Sequence, residues 1–318
     1  MDSIYWIIIT ALLLLAAFDL INGVANDAVN FLNSAIGSKA APVRVILTVA
    51  SIGVLVGACF SGGMMEVARN GIFHPDMFSY HEVMLLFLGV MISEVILLDT
   101  FNTFGLPTST TVSLVFGILG SAVATALFKI SKLRLVQSVW DFINTEIVTS
   151  ILLSVAIAFT VGTIVMWISR LAFTFKYQSR FKWFGCFWCG IAMTAIAYFA
   201  VFKGLKESTL MEPSFIQYID QNLGMALLTA FGGFSVLMFL LQHLFMTNIL
   251  RLTVLAGTFS LALAFAGNDL VNFIGVFMGG LDSFQYASSV AAAGGSPSSI
   301  TSMECLMPGQ GMPVNHYI

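Results

Sequence analysis

The sequence predicts an all-α polytopic membrane protein. Of its 318 residues, 58% are hydrophobic and 9% are charged, whereas a soluble domain carries about 25% charged residues. Apolar runs of about 20 residues favour spanning helices over the short alternating strands of a membrane barrel. The formal net charge of −3 is too small to indicate a nucleic-acid partner.

A short polar phrase occurs twice, each time after an apolar run, with Asp19 and Asn22 also preceding the first copy. It reads GVANDAVNF at residues 23–31 and AGNDLVNF at residues 266–273, so that Asp27 and Asp269 are 242 positions apart (269 − 27). A central aspartate in a membrane helix costs roughly 2.5 to 3.5 kcal/mol. Both copies incur this free-energy cost, and the residues around the two aspartates are alike. The two copies therefore indicate a pair of equivalent functional half-sites. The alternative is that both aspartates cap helix N-termini at an interface.

Each copy follows a half-helix. Residues 4–18 and 252–266 are apolar over about 15 positions, short of the roughly 20 needed to span. The first follows Met1, Asp2 and Ser3 without a basic region, so we expect a transmembrane helix and not a cleaved signal peptide. A short apolar run followed by a polar one indicates a broken helix. Carboxylate, amide and unwound carbonyl oxygens there would suit Na⁺ or a proton, as in inverted-repeat transporters.

Further apolar runs separate the two copies. Glu94 lies inside one of them and is a functional candidate. It is a cation ligand, the partner of a buried donor, or a residue that faces a loop. We expect spanning helices at 43–60, 83–98, 147–168, 184–202 and 225–245, and a re-entrant segment around 100–128.

The second notable segment is PTSTT at residues 107–111. Pro107 suits the first turn of a helix. The hydroxyls of Ser109, Thr110 and Thr111, with the free backbone N–H groups of a helix N-terminus, form an end that binds oxyanions. Because no basic residue lies nearby in the sequence, such a cradle would hold an anion loosely enough to release it. The alternative is an ordinary Ser/Thr cap of a plain spanning helix.

Together, the duplicated Asn-Asp phrase and the PTSTT segment resemble the inorganic phosphate transporter (PiT) family of cation-coupled phosphate symporters. The resemblance implies an inverted-repeat transporter with broken helices and re-entrant hairpins. It further implies import of inorganic phosphate coupled to Na⁺ or H⁺ across the plasma membrane, with no enzymatic activity and no other cofactor. We accordingly predict substrate-binding residues at Asn26, Asp27, Ser109, Thr110, Thr111, Asn268 and Asp269, and cation-binding residues at Asp27, Asn30, Glu94, Asp269 and Asn272.

The second repeat departs from this pattern. Residues 297–301 read PSSIT, but they lie 28 positions after Asp269 (297 − 269), whereas Pro107 lies 80 after Asp27 (107 − 27). We therefore expect an incomplete second repeat. The predicted division is a transporter domain at 1–280, comprising a first repeat at about 1–135, connecting spans at 136–249 and the start of a second repeat at 250–280, followed by an Ala/Gly/Ser-rich tail without a span at 281–318.

Other functions stay open on the residues alone. A neutral hydroxyl cradle does not distinguish phosphate from sulfate or another oxyanion. An intramembrane hydrolase with Ser109 as nucleophile needs a nearby base, and the sequence offers the distant His243. A non-transporting fragment or membrane scaffold would fit the incomplete second repeat. The expected partners are inorganic phosphate and the lipid bilayer, with no nucleic acid, and a second copy of the chain in a homodimer.

Overall fold

The computed structural model describes residues 3–59, 72–133, 138–143, 145–173, 177–200 and 213–306. These residues are helical almost throughout, and an isolated antiparallel bridge joins Phe73 to Ile143. The all-α prediction is confirmed. The helices, in chain order, are α1 Ser3–Gly37, α2 Val43–Cys59, α3 Tyr80–Thr103, α4 Thr110–Leu133, α5 Thr145–Ala172, α6 Tyr177–Phe199, α7 Pro213–Gln221, α8 Leu223–His243, α9 Ile249–Asn268 and α10 Leu270–Ala292.

Several of these helices are long and apolar enough to cross a membrane. Among the described residues there are six such segments, and α2 is a shorter apolar helix of 17 residues. This confirms the polytopic prediction. The six candidate spans are Ser3–Gly37, Tyr80–Thr103, Thr110–Leu133, Thr149–Ala172, Leu223–His243 and Ile249–Gly267.

The first copy of the repeated phrase lies inside an unbroken helix. Helix α1 runs for 35 residues, about 52 Å at 1.5 Å per residue, so the break predicted there is wrong. The side chains of Asn26 and Asp27 find hydrogen-bond partners on α3 and α4, and this satisfies them without unwinding the backbone. At the second copy the helix does break, because α9 ends at Asn268 and α10 begins at Leu270.

The chain divides into two compact units. The first unit comprises Met1–Asp27, Gly63–Ser150 and Asp269–Ile318. In it, α3 packs against both α4 and α10, and Leu12, Phe87 and Val276 lie in one buried apolar cluster. The first part of α1 and the helical hairpin α3–α4 therefore share a core with α10.

The predicted re-entrant segment around residues 100–128 covers the end of α3, the turn and most of α4, which form a helical hairpin with the rest of α3. Each arm has 24 residues and is long enough to cross a bilayer. The hairpin is thus present, while re-entrance itself stays a prediction.

The predicted boundary after Gly280 needs correction, because it falls inside α10. The helix continues to Ala292, and Phe284, Ile300 and Met303 are buried in the core of the first unit. The small residues that suggested a loose tail include alanine, which has the highest intrinsic helix propensity. A Cβ added at Gly280 would lie 2.7 Å from the Leu12 side chain, so the small residue permits close packing.

The second unit comprises Ala28–Gly62 and Ile151–Asn268. Its closest packing joins α2 to α9. A Cβ added at Gly53 would lie 2.6 Å from the carbonyl oxygen of Phe259, and one at Gly57 would lie 2.2 Å from that of Leu263. Two glycines one turn apart therefore let the helix backbones meet, a mode of association typical of membrane helices.

Candidate functional site at the hairpin tip

The turn between α3 and α4, residues 104–109, forms the tip of the hairpin. The N–H of Leu106 donates to the carbonyl of Phe101 at 2.9 Å, and Gly105 has φ +64°, a left-handed value that glycine adopts at helix ends without strain. Ser109 caps α4, since its Oγ accepts the N–H of Val112 at 3.3 Å. Ser109 therefore marks the start of α4, whereas Pro107, predicted in the first turn of a helix, lies in the turn before it.

Asn26 of the first motif copy holds this tip in place. Its Nδ2 donates to Oδ1 of Asn102 at 2.8 Å and to the carbonyl of Leu106 at 3.2 Å. Its Oδ1 accepts the backbone N–H of Thr108 at 3.0 Å. Asn102 in turn donates to the backbone carbonyl of Asn22 at 3.0 Å. One amide side chain thus satisfies both a donor and an acceptor of the exposed turn.

The two aspartates of the repeated phrase reach consecutive residues of α4. The hydroxyl of Thr110 donates to Oδ2 of Asp27 at 2.7 Å, and the hydroxyl of Thr111 donates to Oδ1 of Asp269. Asp27 is 5% exposed and Thr110 is 2% exposed. Both carboxylates lie beside a helix N-terminus, where negative charge is stabilised.

A close contact between the two motif copies supports this arrangement. A Cβ added at Gly23 would lie 2.5 Å from the ring of Phe273, which is itself buried. The glycine of the first copy therefore makes room for the phenylalanine of the second. Asp27 on α1 and Asp269, which directly precedes α10, therefore lie on or next to helices that pack together within the first unit.

Glu94 of α3 is buried against α4, about one turn after the threonine pair. It is 1% exposed, and its Oε2 accepts the hydroxyl of Ser113 at 2.8 Å. Its contact is therefore with the body of α4, whereas the threonine pair lies at the start of that helix.

The remaining predicted site residues lie at different positions. Ser109 is exposed at the tip, where its hydroxyl serves as the helix cap. Asn30 is an exposed residue of α1 and belongs to the second unit. Asn268 is the last residue of α9 and Asn272 lies in α10, but their side chains fall outside the described part of the structure.

The structural role of Asn102 and the burial of Asp19 were not predicted from the sequence. Asp19 is fully buried, and Asn102 links α3 to α1 and to the hairpin tip. A signal existed, because each is a polar residue within or directly after an apolar run. The hydrogen-bond partners of Asn102 lie 76 and 80 positions away along the chain and could not be read from local spacing.

Fold and site together define a class: a multi-pass α-helical membrane protein in which a hairpin tip and the helix start that follows it contact both copies of a repeated acidic motif. Residues 22–303 match the family model described as the phosphate transporter family. The match covers most of the chain, and the protein belongs to this family.

Individual relatives agree with the family assignment. A Pyrococcus furiosus protein named as a phosphate permease is 27% identical over 264 residues, covering 79% of this chain and 60% of its own length. A Plasmodium falciparum protein named sodium-dependent phosphate transporter is 30% identical over 189 residues, covering 56% of this chain and 27% of its own length. A Thermococcus kodakarensis relative is covered over 45% of its length, so the chain spans about half the length of the first two archaeal relatives it matches.

The fold also resembles a solved structure titled as the sodium-dependent phosphate transporter. The TM-score is 0.62 at 17% sequence identity, and the match covers 94% of this chain and 72% of the other. At this level of identity the similarity establishes a common fold.

Proposed function

We propose that the protein is a secondary transporter that imports inorganic phosphate across the plasma membrane, coupled to Na⁺ or H⁺. The observation that carries the proposal is the pair of threonines at the start of α4, whose hydroxyls contact one aspartate from each motif copy. A helix N-terminus with hydroxyl donors is suited to an oxyanion, and paired carboxylates are suited to a hard cation. Family membership supports phosphate as the oxyanion.

The geometry suggests how the cation and the anion depend on each other. A threonine hydroxyl carries one proton, and in this arrangement Thr110 and Thr111 both donate it to carboxylates. A cation bound by Asp27 and Asp269 would neutralise those carboxylates and compete for their oxygens. The hydroxyl protons would then be available to phosphate, and the repulsion between phosphate and the aspartates would fall.

Sodium is supported as the coupling ion by the relative and the solved structure whose names include sodium dependence. The alternative is a proton held on the same carboxylates. Both ions act by the same charge neutralisation, so the proposed mechanism holds for either.

Uptake of radiolabelled phosphate tests the proposal. Cells that lack their own phosphate uptake systems would express the protein and be measured with an inward Na⁺ gradient, with choline replacing Na⁺, and with an inward proton gradient. We expect uptake that depends on one of the two cation gradients. Absence of uptake above that of vector-containing cells would reject a transport function and favour a membrane scaffold.

Competition by other oxyanions tests the substrate. Excess unlabelled phosphate should abolish the signal, and an equal excess of sulfate should leave most of it. Equal competition by sulfate would contradict phosphate specificity while leaving oxyanion transport in place.

A further inference from the structure

Two buried carboxylates lie outside the threonine–aspartate contacts. Asp19 on α1 is 0% exposed and Glu94 on α3 is 1% exposed. Among the described residues, neither oxygen of the Asp19 carboxylate has a hydrogen-bond partner, and Oε1 of Glu94 has none either. Burying a charged carboxylate without a hydrogen bond or an opposite charge is strongly unfavourable. We therefore expect these three oxygens to bind a ligand.

Helices α1 and α3 lie side by side, because the ring of Tyr5 packs against that of Tyr80 and the carbonyl of Asn22 accepts Nδ2 of Asn102. Asp19 and Glu94 lie between these two contacts on their helices, close enough to act on each other electrostatically. Like charges at short range in a buried site repel strongly. Asn22, which follows Asp19 at helical i+3 spacing on α1, also has a buried Nδ2 without a partner among the described residues. The polar groups therefore form a cluster within the first unit, between α1 and the hairpin.

The lysines described in this unit are engaged elsewhere. Lys129 pairs with Glu82 at 2.9 Å and donates to the carbonyl of Met77, and Lys132 lies over the ring of Phe128. Among the other acids, Asp27 and Asp269 accept threonine hydroxyls. The part of the chain that the structure describes thus offers Asp19 and Glu94 no lysine or arginine partner.

We propose that Asp19 and Glu94 form a second cation site, which holds one monovalent cation, Na⁺ or H⁺, apart from the pair Asp27 and Asp269. Three unpartnered oxygens are too few for the six to eight that Ca²⁺ takes, and a buried site does not keep the waters that Mg²⁺ retains. A single positive charge removes the repulsion between the two carboxylates. The role of this site in coupling rests on the proposed transport function, but its occupancy does not.

Cation-dependent stability of the purified protein tests the site without phosphate. The midpoint of thermal unfolding in detergent would be followed as NaCl replaces choline chloride at constant ionic strength, and separately as the pH is lowered in choline chloride. We expect a stabilisation in one arm that saturates in the wild type. The arm that shows it identifies the cation as Na⁺ or H⁺.

Asp19→Asn is the decisive variant. It should raise the midpoint in cation-free buffer, since an uncharged amide replaces a buried carboxylate. It should also increase the concentration of the active cation needed for half-maximal stabilisation roughly tenfold or more. Asp99→Asn, the same change at an exposed position of α3, is the matched control and should behave as the wild type.

Further variants distinguish the second cation site from the pair Asp27 and Asp269 and from the proposed transport function. Glu94→Gln should lose the same response, and it replaces Asp19→Asn if that variant does not fold. Asp27→Asn should retain the response that depends on Asp19. Wild-type behaviour of both Asp19→Asn and Glu94→Gln in both arms would overturn the site. Loss of phosphate uptake with an intact Asp19-dependent response would reject the proposed function and leave the site standing.

Discussion

Two threonine–aspartate hydrogen bonds lie side by side at the start of α4, and each depends on a single residue pair. Thr110 contacts the aspartate of the first motif copy and Thr111 that of the second. Since adjacent residues at a helix N-terminus point in different directions, two helices can each bring one carboxylate to the same end of α4. A substitution at either threonine therefore separates one half of the site from the other.

Thr110→Val should lower phosphate uptake by roughly tenfold or more while the protein still folds. Valine keeps the shape of the side chain but removes the donor to Asp27, and a hydrogen bond to a charged group is worth about 1.5–3 kcal/mol. Thr110→Ser should retain most of the uptake. Thr125→Val is the matched control, because Thr125 of the same helix donates to the backbone carbonyl of Ser121. Equal uptake by the Thr110→Val and Thr125→Val proteins would contradict a role for the Thr110 hydroxyl.

Asn26→Leu should destabilise the protein by about 2 kcal/mol, as measured by thermal unfolding in detergent. The change removes the hydrogen bonds of Asn26 with Asn102, with the carbonyl of Leu106 and with the N–H of Thr108, and each such bond contributes about 0.5–1.5 kcal/mol. Asn33→Leu makes the same substitution at an exposed position of α1 and should have little effect. If the two variants unfold at the same temperature, the hydrogen bonds of Asn26 do not stabilise the hairpin tip.

At the scale of elements, glycine positions determine which helices meet. In the second unit, α2 and α9 approach at Gly53 and Gly57, where an added Cβ would lie within 2.6 Å of a carbonyl oxygen of α9. A backbone carbonyl cannot rotate away as a flexible side chain can. This interface is therefore more sensitive to added volume than a contact between side chains would be.

Gly57→Ala should destabilise the protein by roughly 1–3 kcal/mol, because the new methyl group must push α2 away from α9. Gly233→Ala on α8 is the matched control in the same unit, with no atom within 4 Å of the added Cβ. Alanine there should be neutral or slightly stabilising, since it is the better helix former. If both variants lost a similar amount of stability, the contact between α2 and α9 would not explain the effect of Gly57→Ala.

The elements also show what could be predicted from sequence and what could not. The PTSTT segment indicated the start of α4 to within a few residues, because a serine cap acts on its immediate neighbours, although Pro107 lies before the helix and not in its first turn. The continuity of α1 through Asn26 was not predictable in the same way, since it depends on partners in the hairpin about 80 positions away. Likewise, the pairing of Gly57 with Leu263 follows from tertiary packing, which leaves no periodic signal in either segment.

At the scale of the whole molecule, the proposed mechanism makes cation and phosphate binding depend on each other. Thr110 and Thr111 donate to carboxylates in the structure, and each hydroxyl has one proton to donate. Under the proposed mechanism, phosphate would accept those hydrogen bonds once a cation occupies the aspartates. The two ligands therefore stabilise the same state, and their binding free energies must be coupled.

This coupling has a reciprocal form that can be measured on the purified protein. Saturating coupling cation, Na⁺ or H⁺, should tighten phosphate binding by roughly 5- to 150-fold, the usual range for coupled sites, and saturating phosphate should tighten binding of that cation by the same factor. Titration calorimetry in detergent can determine both factors. In Thr110→Val the common factor should shrink, because one of the two shared donors is absent, whereas Thr125→Val should keep it. Phosphate affinity that is the same with and without either cation would refute the donor-sharing mechanism, even in a protein that transports phosphate.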